Sequence, residues 1–111
     1  MPFAHVTTNV SVDAKAVATG LSGLLAGALG KPEGYVMCLV TPDAALVFGG
    51  SGDPAAYVEL KSIGLGESAC KDLSGRLCAF LEDECGVPPA RIYIEFKDLQ
   101  RSWFGWNSGT F

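Results

Sequence analysis

The chain has 111 residues, 49% of them hydrophobic and 18% charged, with a formal net charge of −4 and a pI near 4.7. That length suits one domain with a real core. The acidic balance argues against a nucleic-acid or acidic-membrane partner, because Lys15, Lys31, Lys61 and Lys71 are scattered and form no stripe for phosphates to meet.

In chain order, proline follows the initiator methionine, and a first strand is expected over Phe3 to Val10. A helix follows from about Ala14 to Leu29, with Val17, Leu21, Leu24, Leu25 and Ala28 at the spacing of one buried face. Asp13 suits its N-cap, Gly30 its left-handed terminus, and Pro32 forbids continuation. A second strand is expected over Val36 to Thr41. The stretch FGGSGDPAAY (Phe48 to Tyr57) is glycine-rich, but it leads into a strand and lacks the Lys-Ser/Thr of a phosphate loop, so it reads as a turn.

The second half has the same order. A strand is expected over Tyr57 to Ile63, then a helix with Leu73, Leu77, Phe80 and Leu81 on one face and Ser68 as a candidate N-cap. Gly86 and Pro88 repeat the stop, and Arg91 to Lys97 reads as the last strand. The tail WFGWNSGTF gathers aromatics that suit core or interface anchors, with one or two free to line a pocket mouth. Displacing the chain so that Gly30-Lys31-Pro32 falls on Gly86-Val87-Pro88 also places Tyr35–Val40 on Arg91–Phe96. One domain over 1–111 with a pseudo-repeat of about 2–41 and 58–97 is therefore expected, each half a β-α-β unit with parallel strands. Helices confined to one sheet face would leave the other needing cover, most simply in an oligomer.

No leader of the secretory type is seen, and the first helix is too short and polar to span a bilayer. Cys38, Cys70, Cys78 and Cys85 show no C-x-x-C spacing, and the only histidine, His5, is distant in sequence. No metal and no cofactor are expected, and free thiols in a cytoplasmic setting are the default.

Taken together, Pro2, GKPEGYVM, FGGSGDPAAYVELKSIG, RIYIEF and FGWNSGTF resemble the macrophage migration inhibitory factor and D-dopachrome tautomerase family over essentially the whole chain. The PAAYVEL version is most similar to plant and algal members. The resemblance implies a tautomerase fold of class α/β: a duplicated β-α-β unit, a four-stranded mixed sheet with two helices on one face, and a homotrimer with active sites at subunit interfaces. It implies keto–enol tautomerisation of phenylpyruvate-like or dopachrome-like small molecules, without a cofactor. Pro2 matches the catalytic proline, freed of its methionine, and Lys31 the lysine beside it. Ser62 and Ile63 match a pair that lines the site through backbone groups. Tyr93 matches a tyrosine from a neighbouring subunit, while Phe104, Trp106 and Phe111 fall on the apolar wall.

The chemistry can also be read from the residues. A free α-amino group titrates near about 8. Burial among Phe104, Trp106 and Phe111, and a nearby Lys31 ammonium, would both lower that value. Such a base can move a proton next to a carbonyl while Lys31 holds a carboxylate or the developing enolate oxygen. Each residue has a plainer alternative: Lys31 suits a helix C-terminus, Ser62 and Ile63 an ordinary strand end, and Tyr93 a half-buried strand position. A retained Met1 would turn the nitrogen of Pro2 into an amide without basicity.

The chain departs from vertebrate members in three places. Glu95 stands where they have asparagine, and a carboxylate facing the pocket would repel acids and raise the pKa of Pro2. Phe104 replaces a smaller aliphatic. Ala55 and Val58 replace the two cysteines of a C-x-x-C, which removes a thiol oxidoreductase reading. Asp43 matches one acidic position of a receptor-mimicking surface but lacks a basic partner. The rival reading is a protein-interaction or cytokine-like signalling module with weak or vestigial tautomerase activity.

Overall fold

The computed structural model describes residues 1–111. Its main elements are β1 (Phe3–Thr8), α1 (Ala14–Leu29), β2 (Met37–Thr41), β3 (Ala56–Ile63), α2 (Glu67–Cys85) and β4 (Ile92–Leu99). A terminal hairpin pairs β5 (Gly105–Trp106) with β6 (Gly109–Thr110). The four long strands form one sheet in the order β2-β1-β3-β4. The β1–β2 and β3–β4 pairs are parallel, and β1–β3 is antiparallel. This is the expected mixed sheet with both helices on one face.

Strand alternation makes the core one-sided. Ala4 and Val6 of β1 and Ala56, Val58 and Leu60 of β3 point to the helices. They meet Val17, Leu21 and Leu25 from α1 and Leu73, Leu77 and Leu81 from α2. Fully burying each of these valine and leucine side chains stabilises the fold by about 1.5–3 kcal/mol. The intervening residues face the other way and stay partly open. Met37 is 66% exposed and Tyr93 63%.

Helix ends follow local rules. The Asp13 carboxylate accepts from the Ala16 amide at 3.1 Å. Gly30 and Gly86 close their helices at φ 62° and 68°, a conformation costly for any residue with a Cβ. The residue after each glycine bonds back into the helix: Lys31 N–H to the Ala26 carbonyl at 3.0 Å, and Val87 N–H to Leu81 at 3.4 Å. Ser68, expected as the second N-cap, instead lies inside the first turn of α2, and Gly66 takes the cap position without a side-chain bond. The reason lies upstream: the Asp98 carboxylate holds the amides of Gly64 and Leu65 at 3.0 and 3.1 Å, and Leu65 is buried, so the chain enters the helix before Ser68.

Two strand ends differ from expectation by two residues, while the other boundaries agree to within one. β1 stops at Thr8 rather than Val10 because Asn9 leaves the sheet. Its side-chain amide donates to the carbonyls of Leu46, Gly52 and Asp53, and its oxygen accepts from the Ala55 amide. β4 runs on to Leu99, since Asp98 and Leu99 still pair with Ser62 and Ile63. The FGGSGDPAAY stretch is the expected turn, with Gly49 and Gly50 at φ 60° and 77° inside a Phe48–Ser51 bridge. The Arg91 guanidinium lies 5.2 Å from the centre of the Phe48 ring and donates to four carbonyls of this loop.

Ser62 is 1% exposed, and its hydroxyl has no hydrogen-bond partner. A buried hydroxyl left unpaired costs about 1–3 kcal/mol. Ser62→Ala is therefore expected to leave the urea unfolding midpoint unchanged or raise it. A clear fall would mean that the hydroxyl has a partner in solution.

Candidate active site

Pro2 is buried at the head of β1, its carbonyl accepting the Met37 amide of β2 at 3.0 Å. The strand pair thus fixes the proline against the rim of the sheet. Beside it opens a cavity of about 380 Å³, lined by Met1, Pro2, Phe3, Gly34, Tyr35, Val36, Met37, Lys61, Phe104, Gly105, Trp106 and Phe111. A side cavity of about 140 Å³ shares Met1, Tyr35 and Phe111 with it and adds Lys31, Pro32, Ile63 and Arg101.

The cap of α1 aims Lys31. Gly30 turns the chain left-handed, and Lys31, held by Ala26, sends its ammonium across to the end of β3. There Nζ donates to the Ile63 carbonyl at 3.1 Å. The ammonium thus bonds across to the end of β3 and lines the side cavity. Asp98, through Gly64 and Leu65, fixes the turn that presents that carbonyl. The same ammonium also bonds to the amino terminus of Met1.

The aromatic wall comes from the terminal hairpin. Asn107 and Ser108 adopt φ 50° and 66°, the left-handed pair that a two-residue turn needs. This folds Trp106 back over Phe111, the rings stacked at 14° with centroids 5.5 Å apart. Phe104 packs on Phe111 at 5.7 Å, and Tyr35 meets Trp106 edge-on at 5.7 Å. Such contacts favour apolar or aromatic ligands.

The electrostatics are one-sided. Lys31, Lys61 and Arg101 line the two cavities, and no Asp or Glu side chain of the same chain does. The amino terminus on Met1 is held below the ordinary value of 8.0, first by burial and then by the charge and hydrogen bond of Lys31 and the charge of Arg101. Its neutral form is accordingly reached at lower pH than for a free α-amine.

Pro2, Phe104, Trp106 and Phe111 line the larger cavity, and Lys31 and Ile63 line the side cavity, which shares Phe111 with it. Ser62 sits beside Ile63, but its side chain is buried, and only the strand end around it reaches the site. Tyr93 and Glu95 lie elsewhere in the chain, on the open face of the edge strand β4. Tyr93 packs on Phe48 at 4.7 Å and lines a separate cavity with Tyr57. Glu95 accepts the Tyr57 hydroxyl at 2.7 Å, a bond that pushes the Tyr57 phenol up. The Glu95 carboxylate therefore does not enter the Pro2 cavity of its own chain.

Tyr35, Arg101 and Asp98 escaped the sequence reading. Tyr35, just ahead of the strand expected from Val36, closes a short helical turn over Glu33–Tyr35, and it lines the cavity. Gly34 beside Pro32 was the available signal for that turn. Asp98 and Arg101 carry no local signal, since their partners are distant in sequence.

Burial, with Glu33 nearby, pushes the Cys38 thiol up to about 11, and burial raises Cys78 and Cys85 as well. These are resting thiols rather than activated thiolates.

A family model described as macrophage migration inhibitory factor matches residues 1–111. The chain is 40% identical over 114 residues to macrophage migration inhibitory factor of Xenopus tropicalis, covering 100% of this chain and 99% of that protein. The homolog from Brugia malayi is 40% identical, with the same coverage. The crystal structure of a homologue from Prochlorococcus marinus superposes with a TM-score of 0.93 at 38% identity, covering 98% of both chains.

Asp98→Ala removes two charge-assisted bonds to the turn after β3, and is expected to lower stability by about 1 kcal/mol because the carboxylate is partly solvated. Denaturant unfolding measures this. Amide exchange at Gly64 and Leu65 should accelerate in the same variant.

Proposed function

Because the chain belongs to the macrophage migration inhibitory factor family, we propose that it is a cofactor-independent keto–enol tautomerase acting on phenylpyruvate-like acids, with Pro2 as the acid/base. The observation that carries this reading is the cavity itself. Pro2, a tethered ammonium and an aromatic wall meet around two adjoining cavities lined by three cationic side chains and by no Asp or Glu side chain of the same chain.

Removal of Met1 makes the nitrogen of Pro2 a secondary amine. In the keto-to-enol direction the neutral amine takes a proton from the carbon beside the carbonyl. The electron pair moves onto the oxygen, which solvent then protonates. The reverse reaction returns the proton from the prolinium to carbon. The Lys31 ammonium, oriented by Ile63, holds an anionic oxygen of the substrate as charge develops. Tyr35, Phe104, Trp106 and Phe111 receive the aryl group.

The proposed assembly is a homotrimer of 11.6 kDa chains. Its support is the sheet face left open by both helices, where Met37, Leu39 and Tyr93 are exposed. In such an assembly Tyr93 and Glu95 reach a neighbour's cavity rather than their own.

Ketonisation of enol phenylpyruvate tests the chemistry. Pro2→Gly is expected to lower kcat/KM about a hundredfold or more, and equal rates in the two proteins would remove Pro2 from the mechanism. Intact mass must show loss of Met1 in the active protein. Once Met1 is gone, burial and the nearby Lys31 and Arg101 charges would act on the Pro2 amine in the same direction as on that of Met1. The pH profile of kcat/KM for keto-to-enol conversion should thus rise through a pKa below 8.0, the ordinary value for an amino terminus, and then level off. Light scattering should give three chains per particle.

A further inference from the structure

Arg101 projects from a short helical turn, Arg101–Trp103, between β4 and the aromatic hairpin. It lines the side cavity with Lys31. The ion pairs of the chain join His5 to Glu59 and Arg76 to Asp72, so Arg101 has no acidic partner. A guanidinium presents five donors in a planar fork that matches a carboxylate. In a chain of net charge −4, an unpaired arginine beside the Lys31 ammonium is an arrangement that an anion completes.

We propose that Arg101 is a specificity-determining residue that binds the carboxylate of an α-keto acid in the side cavity, leaving Lys31 to the adjoining keto oxygen while the apolar body lies in the larger aromatic cavity. The two cavities share Met1, Tyr35 and Phe111 as lining, and removal of Met1 takes away one of the residues between them, so a single ligand can reach both. The carboxylate and the 2-oxo group of such an acid are neighbours, which lets two cations share them without moving the reacting carbon from Pro2. Arg101 is also close enough for its charge to act on the amino terminus. This assignment takes the substrate class from the proposed tautomerase reading, and selects the free acid over an ester or another uncharged analogue.

The test pairs kinetics with binding. Phenylpyruvate binding is followed by quenching of tryptophan fluorescence, since Trp106 lines the cavity, and enol-to-keto conversion is measured for phenylpyruvate and its methyl ester. Arg101→Gln should weaken binding of the acid and raise its KM about tenfold, with kcat little changed and the ester unaffected. Arg101→Lys should recover part of the loss, and Arg76→Gln, which removes an equal charge from the exposed face of α2, should have no effect. Unchanged acid binding in Arg101→Gln would overturn the assignment, and so would equal losses for acid and ester, because that pattern reports shape rather than charge. Arg101 is exposed and makes no side-chain bond, so the variants should fold, which circular dichroism checks. Binding of the acid that depends on Arg101 in a protein without turnover would support the carboxylate site while removing the tautomerase reading.

Discussion

Two β-α-β units joined through antiparallel central strands are related by a rotation perpendicular to their shared sheet. A crossover of constant hand therefore sets α1 and α2 on the same face. Every other feature follows from that placement. Residues pointing toward the helices form the whole core, from Ala4 and Val6 through Leu60 to Leu81. Residues pointing away have only each other. Across that open face His5 pairs with Glu59 at 3.4 Å and Tyr57 with Glu95, while Met37 and Leu39 remain uncovered. A face that mixes linked polar pairs with exposed apolar groups suits contact with further copies better than bulk water.

The same one-sidedness places the candidate site at the rim, where element ends meet. Four local devices converge there. The Met37 amide fixes Pro2, the left-handed Gly30 turns the chain toward Lys31, Asp98 holds the turn that offers the Ile63 carbonyl, and the 107–108 turn folds the aromatic tail inward. None of these positions relies on a long flexible loop. The comparison of the two helix ends is instructive. Both use the same glycine cap and back-bond, but the residue that follows is Lys31 in one unit and the fully buried Val87 in the other. One cap serves the cavity and the other serves the core.

Charge is segregated by the same geometry. Acidic residues outnumber basic ones in the chain as a whole, yet no Asp or Glu side chain of the same chain lines either cavity: Asp98 holds backbone amides and Glu95 the Tyr57 hydroxyl. The charged side chains that a single chain turns toward its own cavities are Lys31, Lys61 and Arg101. A pocket of this kind lowers the proton affinity of an amine and raises the affinity for an anion through the same cations. The proposed proton transfer and the proposed acid selectivity therefore have one electrostatic origin.

Much of this was legible in one dimension. The 3.6-residue spacing at Val17, Leu21 and Leu25 marked α1 to its observed ends, Asp13 and Gly30 marked its caps, and the tautomerase resemblance named Pro2 and Lys31. Those signals are local or motif-borne, so residue order alone carries them. Ser68 misled because a serine near a helix start is a sufficient cap only when nothing else dictates where the chain enters, and here Asp98, a distant residue, did. Whether Lys31 served the helix dipole or the site, and which way Glu95 faced, depended on partners brought near by folding, Ile63 and Tyr57. Arg101 is silent in sequence for the same reason: its meaning lies in the absence of an acid around it, and the tertiary structure alone decides what surrounds a side chain.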